Sequence, residues 1–371
     1  LKLFSCQYCQ QPLLFENTIC ERCGHQLGYL PERSTLSAVE ADGSNWIALA
    51  DRGESYRFCA NWEREGCNWL VRTKEDEQFC RACRHNRTIP DISDPAQHLR
   101  WQKIETAKRR LIYTLINIGV PLPTSASGDP EPLVFDFLSD PRDPSIGRKV
   151  MTGHDNGVIT LSLAEADDAA RETLRVSMKE PYRTLLGHFR HEVGHYYWDK
   201  LVRDGGEIDS CREAFGDESE DYETALKKYY ERGAPAGWRE SFISAYATSH
   251  PWEDFAETFA HFLHMIDTLE TARAFGLSLK PKLGDAVMLA GVDFDPHDVQ
   301  DIDHLINEWL PLTFAVNNIN RSMGQPDLYP FVLSPMVIEK LKYVSRLVHR
   351  RSTAVGDAPA QFEGREVRDA V

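Results

Sequence analysis

Residues 191–195 read His-Glu-Val-Gly-His. Residues four apart on a helix lie one turn apart on one face, so the imidazoles of His191 and His195 could reach the same metal ion. Glu192 could then aim its carboxylate at a metal-polarised water and serve as general base. So short a pattern recurs by chance, and a surface helix with two unrelated histidines would read the same way. A third ligand has to be found. The extended pattern H-E-x-x-H-x-x-G-x-x-H is excluded, because its last two fixed positions hold Trp198 and Leu201. The other known solution takes a glutamate from a later helix, and residues 246–261 fit it: Tyr-Ala-Thr-Ser-His-Pro-Trp-Glu-Asp-Phe-Ala-Glu-Thr-Phe-Ala-His. Pro251 suits a first helical turn. Glu253 would project from that turn toward the metal, and Glu257, one turn on, could hold the free N–H of a ligating imidazole. Attraction to the helix dipole would explain an acidic residue such as Asp254, but not the joint pattern.

Other reactive side chains have plainer readings. His188, three residues before His191, fits a pocket or surface histidine. His250, His261 and His264 stand near the proposed site, where packing or support of a ligand is expected rather than ligation. Cys211 has no base placed to activate it and reads as an inert lone thiol.

Eight of the nine cysteines precede residue 84, in two sets of four. Cys6, Cys9, Cys20 and Cys23 form two CxxC pairs ten residues apart. Cys59, Cys67, Cys80 and Cys83 form one loose and one tight pair. Such turns aim thiolates at one centre, and zinc takes four of them tetrahedrally. Disulfides are the alternative, but paired CxxC turns in a chain whose first residues show no leader more often bind metal. Full sulfur coordination closes a site, so both zincs should be structural. His25 and His85 lie beside ligands as bystanders. Gly24 suits the left-handed residue that closes a CxxC turn. Trp62 and Trp69 suit a small module core or a partner contact.

The elements that must position these groups follow from the periodicity. Trp46–Leu49 is strand-like, residues 90–95 form a linker, and apolar residues at helical spacing mark a helix over 96–118. A Pro/Ser/Gly loop spans 121–132, and strands are expected at Leu133–Leu138 and Gly157–Leu163. Helices are expected at about 164–177, 181–203, 220–231, 253–272, 299–320 and 335–350. Little in 352–371 could pack. The 371 residues hold 42 basic and 57 acidic side chains, net −15, and the acidic excess continues on both sides of Asp94. Nucleic-acid binding draws its affinity from phosphate neutralisation, so this balance points away from it. No stretch approaches the ~18 apolar residues of a membrane span.

From the Cys6 cluster to about residue 350, the chain resembles the bacterial zinc-binding metallopeptidases that carry an N-terminal zinc ribbon. More distantly, Glu253-Asp-Phe-Ala-Glu257-Thr-Phe is similar to the third-ligand helix of anthrax lethal factor, a gluzincin, a likeness confined to the two metal-binding helices. It implies that Glu253 ligates zinc, that Glu257 supports a histidine, and that Tyr246, seven residues before the ligand, assists catalysis. The expected architecture is α+β: two zinc-ribbon-like modules over 1–90, a mainly helical zincin-like domain with a small sheet over 95–350, and a tail over 351–371. In such enzymes an edge strand above the active-site helix pairs with extended substrate, and Gly157–Leu163 is the candidate here. The expected function is a cytoplasmic peptidase with one catalytic and two structural zincs, a protein or peptide substrate, and ribbons available to a protein partner. The alternatives are a non-catalytic zinc-ribbon adaptor and a nucleic-acid-binding protein with a zincin-like domain. Retention of Glu192 and Tyr246 argues against the first, acidity against the second.

Overall fold

The computed structural model describes residues 2–141, 149–169, 171, 184–281 and 289–352. At the N-terminus, strands β1 (Phe4–Ser5) and β2 (Pro12–Leu13) pair antiparallel. Backbone bonds from Gln10 to Cys6 and from Gly24 to Cys20 close the two CxxC turns, and both closing residues have positive φ, 61° and 76°. Then come β3 (Gln26–Leu30), β4 (Thr35–Asp42), β5 (Asn45–Ala48), β6 (Asp51–Phe58) and β7 (Leu70–Arg72), a five-stranded antiparallel sheet in chain order. Phe15, Tyr29 and Trp69 fill its inner face with ring contacts of 4.7–6.2 Å, and Trp62 stacks on Phe58. Both tryptophans thus serve the packing of the module.

Helix α1 (Pro95–Asn117) starts where Asp94 accepts the backbone N–H groups of Ala96 and Gln97, with Pro95 in the first turn. It is clamped on both sides. Trp101 packs against Gly66 of the ribbon region so closely that a Cβ there would sit 2.3 Å from the indole ring. Leu111, Ile112 and Leu115 join the core of the later helices. Strand β8 (Asn86–Thr88), on the ribbon side of the linker, pairs in parallel with β9 (Val134–Leu138) beyond it. One apolar core therefore runs from Phe4 to Val348.

Strands β10 (Gly153–Asp155) and β11 (Val158–Ser162) complete a second sheet in the order β10-β11-β9-β8. This corrects the expected edge strand: β11 is flanked on both sides, and the strands at the margins are β10 and β8. The cause is the Asn156-Gly157 pair, whose φ values of 46° and 83° turn the chain back as a tight hairpin. Gly157 belongs to the turn and not to the strand.

Helix α2 (Leu185–Tyr197) carries His191 to His195 and continues as a π-helical turn over Trp198–Arg203. Helix α3 (Ile208–Phe215) has no counterpart among the expected elements; its apolar residues at 208, 211, 214 and 215 make too short a pattern to stand out. Helices α4 (Tyr222–Arg232), α5 (Pro251–Ala274), α6 (Ile302–Ser322) and α7 (Pro335–Ser352) lie close to their expected positions. The helix expected over 164–177 opens as a 3-10 turn, Leu163–Ala166, and most of its remainder lies outside the described residues, as do 181–183 and 353–371.

Candidate metal centre and active-site cleft

The two cysteine sets close as their spacing requires. Sγ separations are 3.7 Å for Cys6–Cys23, 3.6 Å for Cys9–Cys20 and 3.7 Å for Cys67–Cys80. A disulfide would hold sulfurs at about 2.05 Å. Four thiolates at zinc–sulfur distances of about 2.3 Å stand about 3.8 Å apart on a tetrahedron. The observed values match the second geometry. Backbone N–H groups of Trp69 and Cys80 point at the sulfurs of Cys67 and Cys59. His25 instead packs on Tyr8, and His85 bonds the Leu133 carbonyl at 2.8 Å, so neither takes a ligand's place.

The third group is built by two antiparallel helices. Thr184 caps α2 through its hydroxyl, and His250 caps α5 through Nδ1, which accepts the N–H of Trp252. The helices meet at Gly194, where an added Cβ would lie 2.8 Å from the Cα of Ala256. This contact sets their spacing. It brings His191 Nε2 and His195 Nε2 to 3.2 Å from each other, and Glu253 Oε2 to 3.0 and 3.4 Å from them. Ligands held at about 2.0–2.1 Å by a tetrahedral zinc stand roughly 3.3 Å apart. Glu253 is buried, and its Oε2 has no other hydrogen-bond partner among the described residues, so the donor set fits a cation facing all three atoms. Burial would raise the Glu253 carboxyl, but the charges of His195 and His191 and the bonds from both hold it well below its usual range.

The surroundings fix each group. Glu257 Oε1 lies 2.8 Å from His191 Nδ1. The Trp252 ring covers His195 at a centroid distance of 3.9 Å. His188 sits between two carboxylates, with Nδ1 3.5 Å from Glu165 and Nε2 3.3 Å from Glu192. Burial alone would lower the His188 imidazole, but the two carboxylates outweigh it and push it up to about 9. In return, His188 and the two site histidines overcome the effect of burial on Glu192 and hold that carboxyl below its ordinary range. The Tyr246 ring lies 5.9 Å from that of His191, centroid to centroid.

These groups face one cleft of about 1010 Å³, walled on one side by β10 and its approach from Lys149, on the other by α4. His261 and His264 reach the cleft's far end but stand outside the three-residue group: His261 bonds the Tyr329 hydroxyl, and His264 is engaged by Arg190. His250 binds the Glu220 carbonyl through Nε2. Cys211 is buried, and burial pushes its thiol up to about 12. Sequence reasoning missed Tyr222, whose phenol donates to Glu253 Oε1 at 2.5 Å. No spacing rule links it to the ligands, because it comes from a separate helix 31 residues upstream of Glu253. A further buried set, Asp267, Glu270 and His297, also lies close together. Arg190 and Thr114 engage Asp267 and Tyr113 bonds Glu270, so it forms a polar network between helices.

Residues 97–347 match a family model described as "Putative zinc-binding metallo-peptidase", and residues 3–94 match a zinc-ribbon domain. Relatives described as uncharacterized proteins of Mycobacterium tuberculosis (strain H37Rv) and Mycobacterium bovis are each 41% identical over 346 residues, 93% of this chain and 94% of theirs. No solved structure matches it. With zinc-ligating geometry in its ribbon and a family match over most of its length, the chain belongs to the zinc-binding metallo-peptidase family of that description, with an N-terminal zinc-ribbon domain.

Proposed function

We propose that the chain is a zinc-dependent peptidase of gluzincin type, hydrolysing a peptide or related amide bond in the cleft. The observation that carries this is the convergence of His191 Nε2, His195 Nε2 and Glu253 Oε2 within 3.4 Å, with Glu192 beside them in the same cleft. Bound there, zinc would supply Lewis acidity, polarising the scissile carbonyl and lowering the pKa of a water to near neutrality. Glu192, kept ionised by His188, accepts the proton of the attacking water and returns it to the leaving amine. The Tyr246 hydroxyl donates to the carbonyl oxygen as negative charge gathers on it. An extended substrate lies along β10, a marginal strand of its sheet among the described residues, and gains main-chain bonds there. The two four-cysteine centres hold structural zinc, and their reduced thiols suit a cytoplasmic setting. No helix among the described residues is long and apolar enough to cross a membrane. Partners are a protein or peptide substrate, with the ribbons' outer surface open to a protein.

The test is zinc per chain by elemental analysis, paired with cleavage of a quenched peptide library. Three zincs should fall to two in a His191→Ala/His195→Ala variant. Glu192→Gln should keep three and lose turnover. Two zincs in both the parent and the double variant, even with added zinc, would favour a non-catalytic adaptor. Full activity in Glu192→Gln would remove the general-base role.

A further inference from the structure

Glu253 divides its two carboxylate oxygens between different tasks. Oε2 faces the Nε2 atoms of both histidines, and Oε1 accepts the Tyr222 phenol at 2.5 Å. A carboxylate offers about four lone-pair sites and can bind a cation through one oxygen or both. A short bond from a phenol to one oxygen directs that oxygen away from the metal side.

The placement of Tyr222 is itself built. It is the first residue of α4, a helix none of whose side chains is fully buried, so it has no core of its own to hold it. Its start is tied down at two points. Asp221 accepts the N–H of Thr224, and the preceding Glu220 carbonyl lies 3.1 Å from His250 Nε2. The same imidazole caps α5 through Nδ1, two residues before Trp252 and three before Glu253. One histidine therefore pins the beginning of α4 to the beginning of the ligand helix. The Tyr222 ring lies edge-on to His250 and Trp252, with centroids 5.2 and 5.7 Å away.

Resting on the three-ligand reading above, we infer that Tyr222 is a positioning residue for the third ligand: its phenol fixes Glu253 as a one-oxygen ligand and so helps retain the ion and keep a coordination position for substrate. Partners of metal ligands typically contribute about 10–100-fold in metal affinity. Loss of the hydroxyl leaves the carboxylate free to rotate, so Oε2 is held less firmly toward the two histidines and the ion is bound less tightly, while Oε1 becomes free to approach it. The consequence for α4 is that this surface helix, one wall of the cleft, belongs to the metal centre through its first residue.

The experiment needs no substrate. Zinc affinity of the third site is measured by chelator competition in the full chain, with zinc content reporting the two four-cysteine centres. Tyr222→Phe, which keeps the ring, should lower that affinity roughly 10–100-fold while both cysteine-bound zincs and the melting temperature stay unchanged. In a Glu253→Ala background the same change should have no effect, since the phenol then has no carboxylate to hold. Cobalt placed selectively in the third site should give a weaker visible absorption in Tyr222→Phe, as expected when coordination rises above four. Equal affinity in Tyr222→Phe and the parent would overturn the inference. An equal loss with and without Glu253 would also overturn it, by assigning Tyr222 a packing role. A parent chain that never binds a third zinc would fail the three-ligand reading itself, a result distinct from either.

Discussion

The Nδ1 atom of His191 lies 2.8 Å from Oε1 of Glu257, a residue 66 positions later on the helix that also carries Glu253. Glu257 thus holds the ring whose other nitrogen faces Glu253 Oε2, so two acidic residues one turn apart grip the same imidazole from both sides. Orientation by such a partner fixes the tautomer and raises ligand basicity. Glu257→Ala should therefore weaken zinc binding at the third site by about 10–100-fold, and Glu257→Gln, which keeps an acceptor, should weaken it less. Chelator competition checks both, with the cysteine-bound zincs as internal reference.

Gly194 makes a second prediction from a contact between backbones. By helix propensity alone, alanine in place of a mid-helix glycine should stabilise by about 1 kcal/mol. Here the new Cβ would meet the Cα of Ala256 at 2.8 Å and its carbonyl oxygen at 3.0 Å, and neither can rotate away. Overpacking of this kind costs about 1–3 kcal/mol. Gly194→Ala should lower stability in urea unfolding and, by separating α2 from α5, loosen the third zinc. A more stable protein with unchanged zinc affinity would contradict the close approach.

How much of this was legible in the sequence depended on whether the signal was local. The cysteine sets, His191, Glu192 and His195 repeat within one or two turns of chain, where periodicity and turn chemistry fix neighbours. Glu253 and Glu257 could be read because one helix carries both at a spacing of one turn. Tyr222 and the Glu165–His188 contact could not, since each joins residues from separate elements and only packing decides where they meet. The edge strand failed for a different reason. Reading Gly157 as the start of a strand passed over the Asn156-Gly157 turn signal and the three-residue strand before it. The junction with the ribbon was also hidden, because the short β8 pairs with β9 nearly fifty residues on.

That junction yields a third prediction. Lys108 of α1 has a fully buried side chain, with Nζ 2.8 Å from Glu105 Oε2, and that carboxylate oxygen lies 3.8 Å from the Cys83 sulfur. Arg109 donates to the Gly66 carbonyl beside Cys67. Four thiolates around zinc carry net charge −2, so two buried cations from α1 offset charge belonging to the ribbon. Lys108→Met would leave Glu105 and the thiolates without that partner, at a cost of about 3–5 kcal/mol. Urea unfolding should show a single transition at a lower midpoint, with the ribbon-bound zinc released in the same transition. Separate transitions for ribbon and helices would mean that α1 does not couple them.

The far end of the cleft sets the response to acid. Burial holds His261 down to about 4, only partly opposed by the Glu257 carboxylate, and holds His264 well below its ordinary value with Arg190 and His261 adding to the effect. Around them stand the Tyr329 hydroxyl, the edge-on Phe331 ring and the Arg190–Asp267 pair. Both histidines are neutral in the fold and bind a proton near pH 6.5 once unfolded, so the unfolded chain takes up more protons between those values. Their contribution is therefore fully present above about pH 6.5 and lost as pH falls toward 4, amounting to at most ~3 kcal/mol for His261. Urea midpoints should fall across that window, and His261→Gln, which can still bond Tyr329 and does not titrate, should flatten the fall. Zinc content followed at each pH separates this from acid release of the metal. A variant whose midpoint tracked the parent over the whole window would show that His261 is not held neutral.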